Sequence, residues 1–219
     1  MGSSTLTRLL VVQTSRILVQ ETIYERFVEA FTAHLQQASV VGDPFAESTF
    51  QGPQVTRAQH ARILSYIEQG KSEGATLVTG GGEGSNESSL DVHNKGKGFF
   101  MSPAVFRDVE DWMRISREEV FGPVVTIASF AEEGEAVERA NDSVYGLGAA
   151  VFTKDLARAH RVAGRVEAGM VWLNSSNDGD WRVPFGGVKQ SGVGRELGEA
   201  GLRGYLSEKA VHVNLGTVL

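Results

Sequence analysis

Residues 124–173 read VVTIASFAEEGEAVERANDSVYGLGAAVFTKDLARAHRVAGRVEAGMVWL, and this stretch decides the fold class. Three apolar runs, Val124 to Phe130, Leu147 to Phe152 and Gly169 to Leu173, have the length of buried strands. Between them, Glu132 to Asn141 and Asp155 to Arg165 carry helical patterns. Strands that alternate with helices of this length build βαβ units around a parallel sheet. The expectation is an α/β fold, a mostly parallel twisted sheet with flanking helices.

Upstream, Ile23, Phe27, Phe31 and Leu35 recur every fourth residue and predict a helix from Thr22 to Ala38, with Thr22 and Glu25 at capping-box spacing. A second helix is predicted from about Thr56, with Gln59 three residues on and Gly74 as its stop signal. Ala75 to Thr79 reads as a short buried strand. At the other end, Val211, Val213 and Leu215 alternate with His212 and Asn214, so Ala210 to Leu215 reads as a half-buried strand. The stretch Gly80 to Gly98 lacks a Gly-Lys-Ser/Thr ending and a following helix signal, which favours a surface loop over a phosphate cradle. No break in composition divides the 219 residues, which fit a single domain at roughly 150 residues per domain as a soft prior.

Composition narrows the function. The chain has no cysteine, which removes disulfides, thiolate metal sites and any cysteine nucleophile. The net charge of −6 argues against a general nucleic-acid binder. No run approaches the ~20 apolar residues of a membrane span, and the four-residue run Leu9 to Val12 is too short for a secretory signal. The expected setting is soluble and cytoplasmic. The five histidines, His34, His60, His93, His160 and His212, are scattered, so no metal site is expected.

Two segments are dense enough to carry chemistry. Glu118-Glu119-Val120-Phe121-Gly122-Pro123-Val124 places two carboxylates before a Gly-Pro turn that feeds a strand. Such carboxylates can hydrogen-bond a ribose or act as a base; they can equally form a solvated charged turn. Asn174 to Arg195 holds Gly179, Gly186, Gly187, Gly192 and Gly194, with Phe185 among them. That density of glycine marks a chain that turns tightly or approaches another group closely. Phe185 is then either a pocket wall or the anchor of a surface loop.

In order and spacing, EEVFGPV, NDSVYGLGAAVFTKD, EAGMVWLN and PFGGVKQSGVGRELGEAGLRGY resemble the aldehyde dehydrogenase superfamily, and SRILVQETIYERFVEAF, VGDP and QGPQV fit the same pattern. The resemblance covers residues 15–219 and leaves 1–14 as an unmatched leader. It implies the fold of the family's catalytic domain. It also implies that Glu119 binds the nicotinamide-ribose hydroxyls, that Phe121 packs beside the nicotinamide and that Phe185 lines the substrate tunnel. Glu196 resembles a family glutamate near a water path to the reacting centre. NAD(P) is the cofactor the family implies, and Arg195 and the segment Ala210 to Leu215 look like subunit contacts.

The departures bear on activity. Where the family carries its nucleophilic cysteine, shortly before Ser15-Arg16, this chain has Val11. The nucleotide-binding half, the general-base glutamate and the oxyanion-hole asparagine have no counterpart in these residues. Aldehyde oxidation in the family needs a thiolate to form the thiohemiacetal that gives up hydride. The expectation is therefore a truncated relative, a pseudoenzyme holding no cofactor by itself, that acts by association as a homo-oligomer or with a complete aldehyde dehydrogenase subunit. Two alternatives stand beside it: an NAD(P)-dependent dehydrogenase whose first half is missing from this chain, and a repurposed non-redox enzyme using Glu119 or Glu196.

Overall fold

A computed structural model of the chain describes residues 15–82 and 98–216. The leader with Val11, and most of the glycine-rich stretch with His93, lie outside the described residues. Contacts divide the chain into two compact units, residues 1–143 and 144–219.

The first unit contains strand β1 (Arg16–Gln20), helices α1 (Tyr24–Ala38) and α2 (Arg57–Ser72), strands β2 (Thr76–Thr79) and β3 (Ala104–Arg107), the single-turn helix α3 (Arg114–Arg117), strand β4 (Val124–Phe130) and helix α4 (Glu133–Asn141). Its four-stranded sheet has the order β1-β4-β3-β2. β4 pairs in parallel with both β1 and β3, while β2 runs antiparallel at the edge. Successive side chains of a strand point to opposite faces. On β3, Ala104 and Phe106 join one apolar cluster and Val105 the other. The first cluster is closed by α2 through Ile63, Tyr66 and Ile67, the second by α1 through Tyr24, Val28, Phe27 and Phe31. A sheet covered on both faces explains why β4 reads as a nearly continuous apolar run.

The termini of the two long helices are set differently. At α2 the Thr56 hydroxyl accepts the Gln59 amide at 3.1 Å, as its spacing predicts. At α1 the predicted capping box does not form. The Gln20 side chain accepts the Thr22 amide instead, a 3-10 turn over Glu21–Ile23 intervenes, and the helix starts at Tyr24. Glu25, the would-be partner, is drawn off by the Arg107 guanidinium of β3, which donates to both its oxygens at 2.6 and 2.9 Å.

The second unit contains β5 (Gly148–Val151), α5 (Leu156–Ala163), β6 (Met170–Leu173) and α6 (Gly198–Arg203). β5 and β6 form a parallel pair joined through α5, the βαβ unit read from the sequence. Asp155 caps α5, accepting the Arg158 amide at 3.0 Å. Across both units the fold is α/β with mostly parallel pairing, as expected. The predicted strand at Ala210 to Leu215 is absent: this segment has no ladder partner among the described residues, and Val211, Val213 and Leu215 are 75%, 72% and 93% exposed. Alternation indicates which face a strand would bury, but it does not supply the neighbour that makes a strand.

Candidate functional site

In the first unit the Glu118–Val124 segment runs from α3 into β4 along the side of α2. Its two carboxylates have different surroundings. Glu118 is tied down: the Tyr66 hydroxyl donates to it at 2.5 Å and Arg114 Nε at 3.0 Å. The Arg114 guanidinium, then the Tyr66 hydroxyl, holds its carboxyl below the usual carboxylate range. Glu119 is exposed, and its carboxylate has no hydrogen-bond partner among the described residues. Only its backbone is held, its carbonyl accepting from Arg62 Nη2 at 3.2 Å.

Phe121 is half-buried, with a backbone φ of +58°, a conformation uncommon for a bulky residue. The Gln59 side chain donates to its carbonyl at 3.0 Å. Gly122 then passes so close to α2 that a Cβ there would lie 2.5 Å from Ile63 Cδ1. The segment is thus pressed onto the helix at one end and hydrogen-bonded to it at several points. Backbone held in a sparsely populated region by surrounding contacts is a feature that clusters at ligand sites.

In the second unit the glycine-rich segment folds back on itself. Asn174, directly after β6, has φ +57°, and its side-chain oxygen accepts the Thr153 amide at 2.8 Å. Phe185 and Glu196 form an isolated antiparallel bridge, each amide donating to the other's carbonyl at 2.7 Å. Arg195 Nη1 donates to the carbonyls of Gly187 and Gly194 at 2.7 and 2.8 Å. Gly169 touches this loop so closely that a Cβ would sit 1.8 Å from the Gly186 carbonyl oxygen. The glycines therefore serve close backbone approach, one of the two uses their density predicted. Phe185 is half-buried, while the carboxylate of Glu196 faces solvent. Where β5 and β6 end, Phe152, Thr153, Lys154, Leu156 and Asn174 line an open cleft of about 470 Å³. Carboxyl ends of parallel strands are where open α/β sheets place ligands.

The aldehyde dehydrogenase family model matches residues 11–211. The chain belongs to the aldehyde dehydrogenase family. It is 48% identical over 206 residues to an aldehyde dehydrogenase of Alternaria alternata, with 94% of this chain and 39% of that protein covered. It is 47% identical over 204 residues to the betaine aldehyde dehydrogenase of Brucella melitensis, with 93% and 40% covered. Among solved structures, the NAD-dependent aldehyde dehydrogenase of Sinorhizobium meliloti superposes with a TM-score of 0.87 at 37% identity, covering 96% of this chain and 40% of that one. The NAD+ complex of the Bacillus cereus aldehyde dehydrogenase gives 0.83 at 42% identity, with 92% and 39% covered. The chain spans about 40% of the length of the relatives it matches.

The aldehyde dehydrogenase motifs fall on both units. Glu119 and Phe121 lie in the first, and Phe185 and Glu196 lie in the second, where the structure pairs them directly. In the sequence Gln59 marks the helix start, and Arg62 and Tyr66 simply fall within the predicted helix. Their spacing of three and four residues puts all three on one face of α2, a signal that polar side chains there have a common object. Thr153 and Lys154 fall between the strand and the helix read from the sequence, and Leu156 falls in that helix; their cleft depends on β5 and β6 ending side by side.

Proposed function

We propose that this chain is a catalytic-domain portion of the aldehyde dehydrogenase architecture that does not oxidise aldehydes by itself and works in association with another chain. The observation that carries this reading is that 219 residues contain no cysteine, with Val11 where the family places its nucleophile. A valine side chain has no lone pair to attack a carbonyl, and losing a nucleophile costs many orders of magnitude in rate.

The residues present fit one end of a nicotinamide dinucleotide. Glu119 is an exposed carboxylate free to accept two ribose hydroxyls, and Phe121 supplies an aromatic surface two residues on. Bound NAD(P) would supply a hydride acceptor. In this reading Glu119 orients the nicotinamide ribose, Phe121 packs against the ring, and Phe185 walls the substrate path. Association is supported by the tail, where Tyr205, Leu206, Val211, Val213 and Leu215 are all exposed. Exposed apolar side chains in one segment are a common mark of an interaction surface.

The test is the purified chain incubated with NAD+ or NADP+ and simple aliphatic or betaine aldehydes, followed by the absorbance of reduced nicotinamide. No reduction above background is expected, with or without Val11→Cys. Reduction that Glu119→Gln abolishes would overturn the reading. Light scattering on the chain and on a version ending at Lys209 tests association: the full chain should be larger and the shortened one monomeric.

A second reading is favoured by the 40% span: the residues belong to a longer NAD(P)-dependent aldehyde dehydrogenase. An in-frame cysteine-bearing loop in the transcript upstream of Met1 would establish it.

A further inference from the structure

The Glu118–Phe121 segment meets α2 through three side chains of a single helix face. Gln59 Nε2 donates to the Phe121 carbonyl at 3.0 Å, Arg62 Nη2 to the Glu119 carbonyl at 3.2 Å, and the Tyr66 hydroxyl to the Glu118 carboxylate at 2.5 Å. Two of the donors, Arg62 and Tyr66, are linked to each other. Arg62 also reaches the Tyr66 hydroxyl at 3.4 Å, and its guanidinium lies 5.4 Å from the centre of the Tyr66 ring. Arg114, from α3, sits 4.8 Å from the centre of the same ring and donates to the other oxygen of Glu118.

Consider what this does to Glu119. Glu118 is anchored through its side chain and Phe121 through its carbonyl, and Glu119 itself is anchored only through its carbonyl. Its carboxylate is the one side-chain polar group in the run that no residue of α2 binds among the described residues. A helix advances 1.5 Å per residue, so donors at positions 59, 62 and 66 are spread over about 10 Å, enough to match an extended stretch of about three residues. The positive φ of Phe121 needs an external restraint, and the Gln59 bond and the Gly122 contact with Ile63 provide one.

We propose that Gln59, Arg62 and Tyr66 form a positioning rail that fixes the backbone of the Glu118–Phe121 segment and so presents the Glu119 carboxylate outward in a preset orientation for ribose hydroxyls. The proposal rests on the reading of Glu119 as a ribose ligand. The three rail residues touch no ligand; they act through Glu119. Without the rail the loop samples many backbone states, and binding must bear the cost of ordering it.

The experiment uses the full chain, the variants Arg62→Met, Arg62→Lys, Tyr66→Phe and Glu119→Gln, and two readouts. The first is amide hydrogen exchange at residues 119–122 against the amides of β4. The second is saturation transfer to the ribose protons of nicotinamide mononucleotide. Arg62→Met and Tyr66→Phe should speed exchange at 119–122 by roughly three- to tenfold, the scale of one hydrogen bond, and leave β4 unchanged. Arg62→Met should also lower saturation transfer severalfold, and Arg62→Lys should recover most of both signals, since a lysine can still reach a carbonyl. Exchange at 119–122 that neither variant alters overturns the rail. Faster exchange with undiminished transfer in Arg62→Met overturns its bearing on Glu119. If Glu119→Gln transfers saturation as well as the parent chain, or the parent transfers none, the ribose reading falls and the positioning role falls with it. The exchange arm then still decides whether α2 holds the segment.

Discussion

The two units are held together in different ways. In the first, two apolar clusters sandwich a four-stranded sheet, and Ile63, Ile67, Met101, Val105, Phe106 and Ile127 are completely buried. In the second, the residues of both strands are only half-buried, and Ala159 is the one apolar side chain in the core among those described. What the second unit has instead is backbone against backbone: Gly169 on Gly186, Gly186 on Gly194, Gly187 on Ser191. Apolar burial stabilises by roughly 25 cal/mol per Å², so the first unit draws on a large diffuse term, whereas the second depends on a few contacts that tolerate no extra atom. Mutations should therefore fail in opposite ways, by cavities in one unit and by crowding in the other.

The largest effect is expected from Phe106→Ala. Phe106 is fully buried on the central face of β3, against Gly70 of α2 and the surrounding cluster. Truncating a buried phenylalanine costs about 3–5 kcal/mol, lost transfer energy plus the cavity left behind. Denaturant unfolding followed by far-ultraviolet circular dichroism should show the midpoint collapsing. A loss below about 1 kcal/mol would mean the cluster is loosely packed and the contrast between the units is wrong.

Gly169→Ala should be next. One methyl group added at Gly169 meets the Gly186 carbonyl oxygen at 1.8 Å, and backbone cannot swing aside as a long side chain can. Overpacking of this kind costs about 1–3 kcal/mol, and here the displaced element is the loop that carries Phe185. Limited proteolysis should cut within residues 174–196 of the variant while the first unit stays protected. The same substitution at Gly179, where a Cβ meets nothing within 4 Å, should leave the pattern unchanged.

The same contrast explains what could be read from sequence. β4, β5, β6 and the helices α1, α2, α4 and α5 announce themselves through local pattern, because each carries its own apolar run, stripe or cap. β1 and β3 are strands only because β4 pairs with both in parallel, and the β1 partnership joins Arg16 to Thr126, 110 positions away. Three apolar residues, Ile17 to Val19 or Ala104 to Phe106, carry no such long-range information. The tail is the converse case, a good alternating pattern with no partner to complete it. At the candidate site, the Glu118–Val124 segment and Phe185 stand out by composition, and the specific roles of Glu119, Phe121 and Phe185 rest on motif resemblance. What packs around Glu119 was invisible, because nothing in residues 59–66 says which loop that helix face will meet.

The smallest effect expected is a pH dependence of the first unit, and its sign follows from the ion pairs there. Glu118 and Glu25 both sit below the ordinary carboxylate range, Glu118 through hydrogen bonds from Arg114 and Tyr66, Glu25 through the Arg107 guanidinium. A carboxyl whose folded value is depressed binds fewer protons folded than unfolded just below its ordinary range. It therefore contributes stability that is complete above that range and is lost as the pH falls through the depressed value. Both side chains are largely solvent-facing, at 48% and 66% exposure, so screening keeps each contribution small. Thermal melts taken from neutral pH downward should show the first unit losing stability through the acid range, more shallowly in 0.5 M salt, taken here as roughly a 4 Å screening length. Glu118→Gln should flatten part of that slope while costing little at neutral pH. A slope that Glu118→Gln leaves unaltered would mean Arg114 and Tyr66 do not hold the carboxylate, and the first unit's advantage would then reside in its apolar clusters alone.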